Sequence, residues 1–220
     1  AIAGCVANEA RHVYGAIGGG AFNDIEATGS YGVIGGGNQN TVSGQYDVIG
    51  GGQMNSASNE GSTVGGGIQN DATGTRATVS GGSANEASGS WAAVPGGRDN
   101  DALGDYSFAA GRDSTAMGDG SFCWSDSTTT SNLVAVTNQF AARATGGFVL
   151  FTAADHTAGA VMAPGSGTWI AFSDKNHKHG IDPVDPAEVL EKVAELPISA
   201  WSYNSEAGVT HMGPMAQDFH

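Results

Sequence analysis

The sequence predicts an all-β fold, a parallel β-solenoid of 15-residue coils, because three kinds of residue recur in register. The first is a β-branched or small residue beside glycines, here called the anchor, at Ile2, Ile17, Ile34, Ile49, Val64, Val79, Val94 and Ala109. Six residues after each of the first seven anchors stands an asparagine, at Asn8, Asn23, Asn40, Asn55, Asn70, Asn85 and Asn100. Two residues further is usually a small apolar residue, at Ala10, Ile25, Val42, Ala57, Ala72, Ala87 and Ala102. Such a short period is typical of a solenoid, in which each coil is stabilised by its neighbours.

Each coil has room for two short strands and two turns, but not for two helices and their turns. The alternation in Tyr31-Gly32-Val33-Ile34 predicts a strand whose anchor points into the coil. The paired glycines after the anchor favour a turn, since glycine accepts positive φ and close approach of the next coil.

A second column precedes the anchors and points to the opposite face, at Val33, Val48, Thr63, Thr78, Ala93 and Phe108. A thin rod buries little surface per residue, so this outer face is expected to pack against identical chains, most simply as a homotrimer. Three residues before the anchor runs a partly aromatic column that includes Tyr14, Tyr31, Tyr46, Trp91 and Tyr106.

The asparagine column allows two interpretations. In the structural one, the amides of Asn40, Asn55, Asn70, Asn85 and Asn100 stack as a ladder in which each side chain bonds the coils above and below. In the functional one, the same residues form a ligand-binding stripe. We favour the ladder.

Composition limits the partners. The chain of 220 residues has a formal net charge of −14 and only 8 lysines and arginines, which disfavours nucleic acid and anionic lipid. No stretch is long and apolar enough to insert into a bilayer, and no cofactor is expected. Cys5 and Cys123 lie at opposite ends of the repeats, so we expect two small buried residues, with an interchain bridge as the alternative.

The last full repeat carries the first resemblance. Ser107-Phe108-Ala109-Ala110-Gly111 and Ser114-Thr115-Ala116-Met117-Gly118 resemble the head repeats of trimeric autotransporter adhesins of the YadA type. The resemblance covers about residues 1–122 and implies a trimeric, left-handed parallel β-roll. The earlier coils differ, since Gly-Gly-Gly and Asn replace single Gly and Ser.

From residue 123 the repeat is lost, and residues 123–172 are expected to form a β-rich connector with strands near Gln139–Ala144 and Gly147–Phe151. A helix is predicted after Asp185 as N-cap, with Pro186 in its first position and Pro197 as its stop.

Several motifs in the remaining segment, residues 173–220, occur in a defined order. They are Ser173-Asp174-Lys175-Asn176-His177-Lys178, Leu190-Glu191-Lys192-Val193, Trp201-Ser202-Tyr203 and Gly213-Pro214-Met215-Ala216-Gln217-Asp218-Phe219. Together they resemble the endosialidase-type intramolecular chaperone domain of phage tail spikes, tail fibres and bacterial surface fibres, over about residues 172–219. The resemblance implies a domain that trimerises, guides folding of the fibre before it and then cuts itself off at Phe172–Ser173. Family domains continue beyond this point, so we expect the segment to be incomplete.

The resemblance places Ser173 and Lys178 as the catalytic pair. A serine hydroxyl needs a base to take its proton, and a lysine can serve once it has lost its own. Lys175, His177 and His179 could supply the positive charge that lowers the pKa of Lys178. From spacing alone, a polar turn with a solvated lysine is the alternative, and a metal site of His177, His179 and His211 is a remote one.

We therefore expect a structural trimeric fibre, located extracellularly, on a cell surface or on a virion, whose only chemistry is one cut in itself. The alternative is an adhesin or receptor-binding tip whose exposed aromatics, such as Tyr31, Tyr46 and Trp91, contact a surface glycan. A glycan-degrading enzyme ranks lower because no paired carboxylates are apparent, and an ice-binding surface lower still because a regular Thr-x-Thr rank is missing.

Overall fold

The computed structural model describes residues 6–128, 131–172, 178–203 and 208–218. Most of these residues form stacked coils of a parallel β-solenoid, which confirms the predicted fold class. Two parallel sheets run along the solenoid, and each coil contributes one short strand to each sheet.

Sheet A is the sheet that carries the anchors. Its strands are β2 (Ala16–Ile17), β4 (Val33–Ile34), β6 (Val48–Ile49), β8 (Thr63–Val64), β10 (Thr78–Val79), β12 (Ala93–Val94), β13 (Gly97–Arg98), β15 (Phe108–Arg112), β17 (Phe122–Ser125) and β19 (Phe140–Arg143).

Sheet B is the sheet that follows the asparagines. Its strands are β1 (Glu9–Ala10), β3 (Asp24–Ile25), β5 (Thr41–Val42), β7 (Ser56–Ala57), β9 (Asp71–Ala72), β11 (Glu86–Ala87), β14 (Asp101–Ala102), β16 (Ser114–Ala116) and β18 (Leu133–Ala135).

The strand register repeats the sequence period. Thr78 pairs with Ala93, one 15-residue coil later, and Phe108 pairs with Phe122 in the shortened coil that follows. A third, weaker ladder of single bridges joins the turns between the sheets, for example Gln53 with Ile68. Gly52 in this turn has φ of 92°, and a Cβ there would collide with the backbone of Gly67, so the close stacking requires glycine.

The core inside the coils is one file of anchors from sheet A facing one file of apolar residues from sheet B. The sheet B file starts with Ala10, has the larger Ile25 and Val42 in the next two coils, and continues as alanine from Ala57 onward. The size of the residue just before each sheet A strand changes in the opposite way. In the coils of Ile25 and Val42 this residue is Gly15 or Gly32, and in later coils it has a side chain. A Cβ on Gly32 would lie 2.5 Å from Cγ1 of Val42, so the two positions share one volume.

The solenoid is longer than the predicted range of residues 1–122. Both sheets continue, with β16 pairing to β18 and β17 pairing to β19. Phe122 is 18 residues before its partner Phe140, because this coil contains a longer connection after Ser125. Cys123 takes the anchor position of this coil and is buried and free, whereas Cys5 lies outside the described residues.

The rest of the predicted connector forms a separate antiparallel sheet, here called the neck sheet. Its strands are β20 (Phe148–Phe151), β21 (Gly159–Met162) and β22 (Ile170–Ala171). A turn at Pro164 and Gly165 lies between β21 and β22.

The carboxyl-terminal segment contains helix α1 (Pro186–Ala194), the hairpin strands β23 (Ser199–Trp201) and β24 (His211–Gly213), and a 3₁₀ turn at Ala216–Asp218. Asp185 caps α1 as predicted, since its carboxylate accepts a hydrogen bond of 2.9 Å from the backbone N–H of Ala187. The apolar face of α1 is exposed in the single chain: Val189 is 45%, Leu190 70% and Val193 56% accessible.

Candidate functional site

The asparagine side chains form a continuous hydrogen-bonded ladder. The amide nitrogen of Asn55 donates to Oδ1 of Asn40 at 3.0 Å, and the amide of Asn70 donates in turn to Oδ1 of Asn55 at 3.2 Å. The same geometry joins Asn85 to Asn70 and Asn100 to Asn85, at 3.1 Å and 3.0 Å. The ladder starts at Asn8 and ends where Ser114 donates its backbone N–H to Oδ1 of Asn100 at 3.3 Å.

Each amide also binds the backbone of its own coil and of the next. The Nδ2 of Asn55 lies 2.9 Å from the carbonyl oxygen of Gly51 and 3.1 Å from that of Gly67. From Asn23 to Asn100 these side chains are buried, and both the donor and the acceptor of each amide are used within the solenoid. Such a column stabilises the stacking of coils and leaves no amide donor or acceptor available to a ligand.

Two outward columns of sheet A are uncharged along the whole solenoid. They are Ala16, Val33, Val48, Thr63, Thr78, Ala93, Phe108, Phe122 and Phe140, and Gly18, Gly35, Gly50, Gly65, Ser80, Pro95, Ala110, Trp124 and Ala142. Charge lies past these columns, at the exposed Arg98 of β13 and the half-buried Arg112 of β15. Phe108, Phe122 and Phe140 stack face to face, with ring centroids 4.8 Å and 4.6 Å apart. These columns are thus uncharged and mostly apolar, with an aromatic end.

The outer face of sheet B also has two outward columns, and one of them is acidic. The acidic column is Glu9, Asp24, Thr41, Ser56, Asp71, Glu86, Asp101, Thr115 and Val134. The other column is mostly uncharged and includes the exposed Leu103 and Met117. Glu86 pairs directly with Asp71 on one side and with Asp101 on the other. Partial burial first, and then the neighbouring charge of Glu86, raise the pKa of Asp101 above its ordinary value, against a hydrogen bond from Thr115 that lowers it. The two outer faces of one solenoid therefore differ sharply in charge.

An aromatic column occupies the corner just before sheet A. Tyr14, Tyr31 and Tyr46 stack with centroids 4.8 Å and 5.1 Å apart, and Trp91 stacks on Tyr106 at 5.2 Å. All five rings are at least 46% exposed in the single chain. Gly61 interrupts the column, and the guanidinium of Arg76 beyond it lies 5.7 Å from the centroid of the Trp91 ring.

The residue before the expected cut is held by the neck sheet. The backbone N–H of Phe172 donates to the carbonyl oxygen of Gly159 at 3.0 Å, which continues the pairing of Ala171 with Ala160 by one residue. The ring of Phe172 packs against that of Phe151, with centroids 5.6 Å apart at an angle of 55°.

Ser173 and His177 lie outside the described residues, as do Lys175 and Phe219. Lys178, the other half of the expected catalytic pair, is exposed in a segment without regular secondary structure, and His179 beside it is exposed as well. The assignment of Ser173 and Lys178 therefore stays a prediction.

His211, the third histidine of the metal site considered with His177 and His179, lies in β24 and pairs with Trp201 of β23. Its ring stacks on the indole of Trp201 with centroids 4.6 Å apart. Among the described residues, no three His, Cys, Asp or Glu side chains are grouped so that they could hold a metal ion.

A half-buried ionic cluster that the sequence analysis did not single out closes the last coil. The carboxylate of Asp126 accepts hydrogen bonds from the backbone N–H and the hydroxyl of Thr145, at 2.6 Å and 2.7 Å, and these bonds hold its pKa far below the ordinary value. The guanidinium of Arg143 lies against Asp126 and donates to the carbonyl oxygen of Thr128 at 2.8 Å. The only available signal was Asp126 beside the Thr/Ser-rich stretch 127–131, and its partners Arg143 and Thr145 lie more than 15 residues away.

Comparison with known families agrees with the segment defined by the carboxyl-terminal motifs. The profile of the family described as chaperone of endosialidase matches residues 173–220. The match begins directly after Phe172, the last residue that pairs in the neck sheet. No curated protein matches the chain. The molecule is thus a β-solenoid followed by a neck sheet and a segment similar to the endosialidase chaperone.

Proposed function

We propose that this chain is a structural fibre that assembles as a homotrimer outside the cell, on a cell surface or on a virion. The observation that carries the proposal is the contrast between the outer faces of the two sheets. Identical chains with a net charge of −14 repel one another, and they approach with least cost through a face without charge. The uncharged outward columns of sheet A, with Val33 and Val48 about 40% exposed, meet that requirement.

The carboxyl-terminal segment gives this assembly a means of finding its register. A parallel array of nearly equal coils can slip by one coil against its neighbours at little energetic cost. A separate trimerising segment that aligns the three chains before the coils stack prevents that slip. The similarity of residues 173–220 to the chaperone of endosialidase supports this role, as does the exposed apolar face of α1.

In this proposal the segment then removes itself by one cut between Phe172 and Ser173. The hydroxyl oxygen of Ser173 bonds to the carbonyl carbon of Phe172, and its proton passes to the neutral amine of Lys178. The C–N bond breaks as Lys178 returns that proton to the nitrogen of Ser173, which leaves an ester and a free amine. Water then hydrolyses the ester, so that Phe172 ends in a carboxylate and the hydroxyl of Ser173 is restored.

A denaturing gel of the complete protein tests this step. The wild type should give two bands, and both Ser173→Ala and Lys178→Ala should give one band of full length. Ser166→Ala, a serine of the same neck, should be cut like the wild type. If the wild type also stays full length under folding conditions, autoproteolysis is excluded and only the fibre and its chaperone remain.

The exposed aromatic column favours a second candidate function, recognition of a surface glycan by the assembled fibre. Aromatic rings often bind sugars through their apolar faces, and the ring of Tyr46 has no aromatic neighbour on the side of Gly61. Binding of the complete protein to a glycan array, compared with Tyr46→Ala and with Tyr203→Ala as a control outside the solenoid, separates this candidate from a purely structural fibre. Equal binding by all three proteins would reject it.

A further inference from the structure

The neck sheet holds the acyl side of the expected cut. Phe172 is the last described residue before the match to the chaperone family, and its N–H is tied to Gly159 at 3.0 Å. Its carbonyl carbon, the atom that the nucleophile must reach, is only two covalent bonds from this tied nitrogen. The hydrogen bond and the ring contact with Phe151 therefore restrict the position of that carbon before any chemistry begins.

Gly159 is the first residue of β21 and lies between two neighbouring chain segments, where there is no room for a side chain. It pairs with Phe151 on one side and accepts the N–H of Phe172 on the other. A Cβ at position 159 would collide with the carbonyl oxygen of Leu150, so a larger residue would push β21 away from β20. Gly159, Phe151 and Phe172 thus form one compact unit at a single end of the sheet.

We propose that Phe151 and Gly159 are positioning residues for self-cleavage, which fix Phe172 so that its carbonyl carbon is presented to Ser173. This inference rests on the proposed cut between Phe172 and Ser173. Holding a reacting carbonyl in place removes much of the entropic cost of attack, and a misplacement of about 1 Å can slow a reaction about 100-fold. After the cut, the new carboxyl terminus at Phe172 stays paired to Gly159, so the finished fibre keeps a complete neck sheet.

The same strand offers a matched control. Phe148 is the first residue of β20, pairs with Met162 and packs against Trp169 with centroids 6.4 Å apart, at the end of the strand remote from Gly159. Phe148 is more buried than Phe151, which is 48% exposed. Truncation of Phe148 should therefore disturb the folding of the sheet at least as much as truncation of Phe151.

The experiment follows the single-turnover cleavage of the complete protein on a denaturing gel, over a range of pH. We expect Phe151→Ala to slow the cut at least about tenfold at every pH without moving the midpoint of the pH profile, because the base is untouched. Phe151→Tyr should restore the rate, and Phe148→Ala should cut like the wild type.

Two results would overturn the inference: Phe151→Ala cutting at the wild-type rate, or Phe148→Ala and Phe151→Ala slowing it equally, which would indicate a general folding defect. An uncut wild type would overturn the proposed cleavage and this inference with it, and is recognised at once from the wild-type lane.

Discussion

Gly32 and Val42 share one volume inside the solenoid, because a Cβ on Gly32 would lie 2.5 Å from Cγ1 of Val42. Where the residue corresponding to Val42 is alanine, as at Ala87, the residue corresponding to Gly32 is larger, as at Ala77. The repeats thus keep the summed volume of the two positions within narrow limits, as close packing demands.

This compensation predicts a strong coupling in a double-mutant cycle. Gly32→Ala should destabilise the protein by about 1–3 kcal/mol through overpacking. In a Val42→Ala background the same change should cost less, with a coupling of about 0.5–3 kcal/mol in the free energy of unfolding. Val94→Ala, several coils away, provides the control, and its effect should add to that of Gly32→Ala. Simple additivity of Gly32→Ala with Val42→Ala would argue against the shared volume.

The asparagine ladder predicts that a single amide contributes strongly to stability. Asn55→Ala should cost about 2–4 kcal/mol, because it removes the side-chain donor to Gly51 and the acceptor for the backbone N–H of Asn70. It also removes one of two donors to the oxygens of Gly67 and Asn40. Asn55→Asp should cost more, since a buried carboxylate would face those three oxygens. Gln53→Ala on the same coil should change stability by less than about 0.5 kcal/mol. Denaturant unfolding measures all three, and equal effects at positions 53 and 55 would contradict a structural ladder.

The acidic column on sheet B predicts a pH dependence of defined sign. The pKa of Asp101 is raised in the folded chain by burial first and by Glu86 next, so the native state binds its proton more tightly than the unfolded state. Its contribution to stability is therefore fully present below the ordinary carboxyl pKa of about 3.9 and is lost as the pH rises through the raised value.

The substitution Asp101→Asn tests this sign. It removes the charge opposite Glu86, keeps an oxygen for the hydroxyl of Thr115, and should stabilise the protein at neutral pH by about 0.2–1 kcal/mol. The gain should vanish near pH 3, where the aspartate of the wild type is protonated. Thermal unfolding at the two pH values measures it, and a loss of stability at neutral pH would show that Asp101 is held by an attraction rather than a repulsion.

The sequence predicted those features that depend on a period. The anchors, the asparagines and the inward alanines recur at fixed spacing, so their columns and the two sheets follow from stacking alone. Helix α1 could also be predicted from the sequence, because its ends are marked locally by Asp185, Pro186 and Pro197.

Features without a period were harder to predict. The last coil was missed because its partners Phe122 and Phe140 are 18 residues apart, although Cys123 and Ala135 keep small residues facing inward. Asp47 gave no signal either, since it stands in a column of small residues, yet it is buried and accepts the N–H groups of Gly44 and Ser62 at 2.9 Å and 2.8 Å. The cluster of Arg143 and Asp126 depends on contacts between coils that differ in sequence, and Ser173 lies outside the described residues.

The proposed interface predicts that a charge on sheet A, but not on sheet B, breaks the assembly. Val48 and Ser56 belong to the same coil and point outward from opposite sheets. Val48→Glu should dissociate the trimer, because a charge would be buried against two identical copies. Ser56→Glu should leave it intact, since it adds to a column that is already acidic.

The native mass of the complete protein, measured for the wild type and for these two variants, tests the central claim most directly. The account predicts a trimer for the wild type and for Ser56→Glu, with three times the mass of one whole or cut chain, and a shift toward the single chain for Val48→Glu. A wild type that stays monomeric, or a Val48→Glu protein that stays trimeric while Ser56→Glu dissociates, would contradict it.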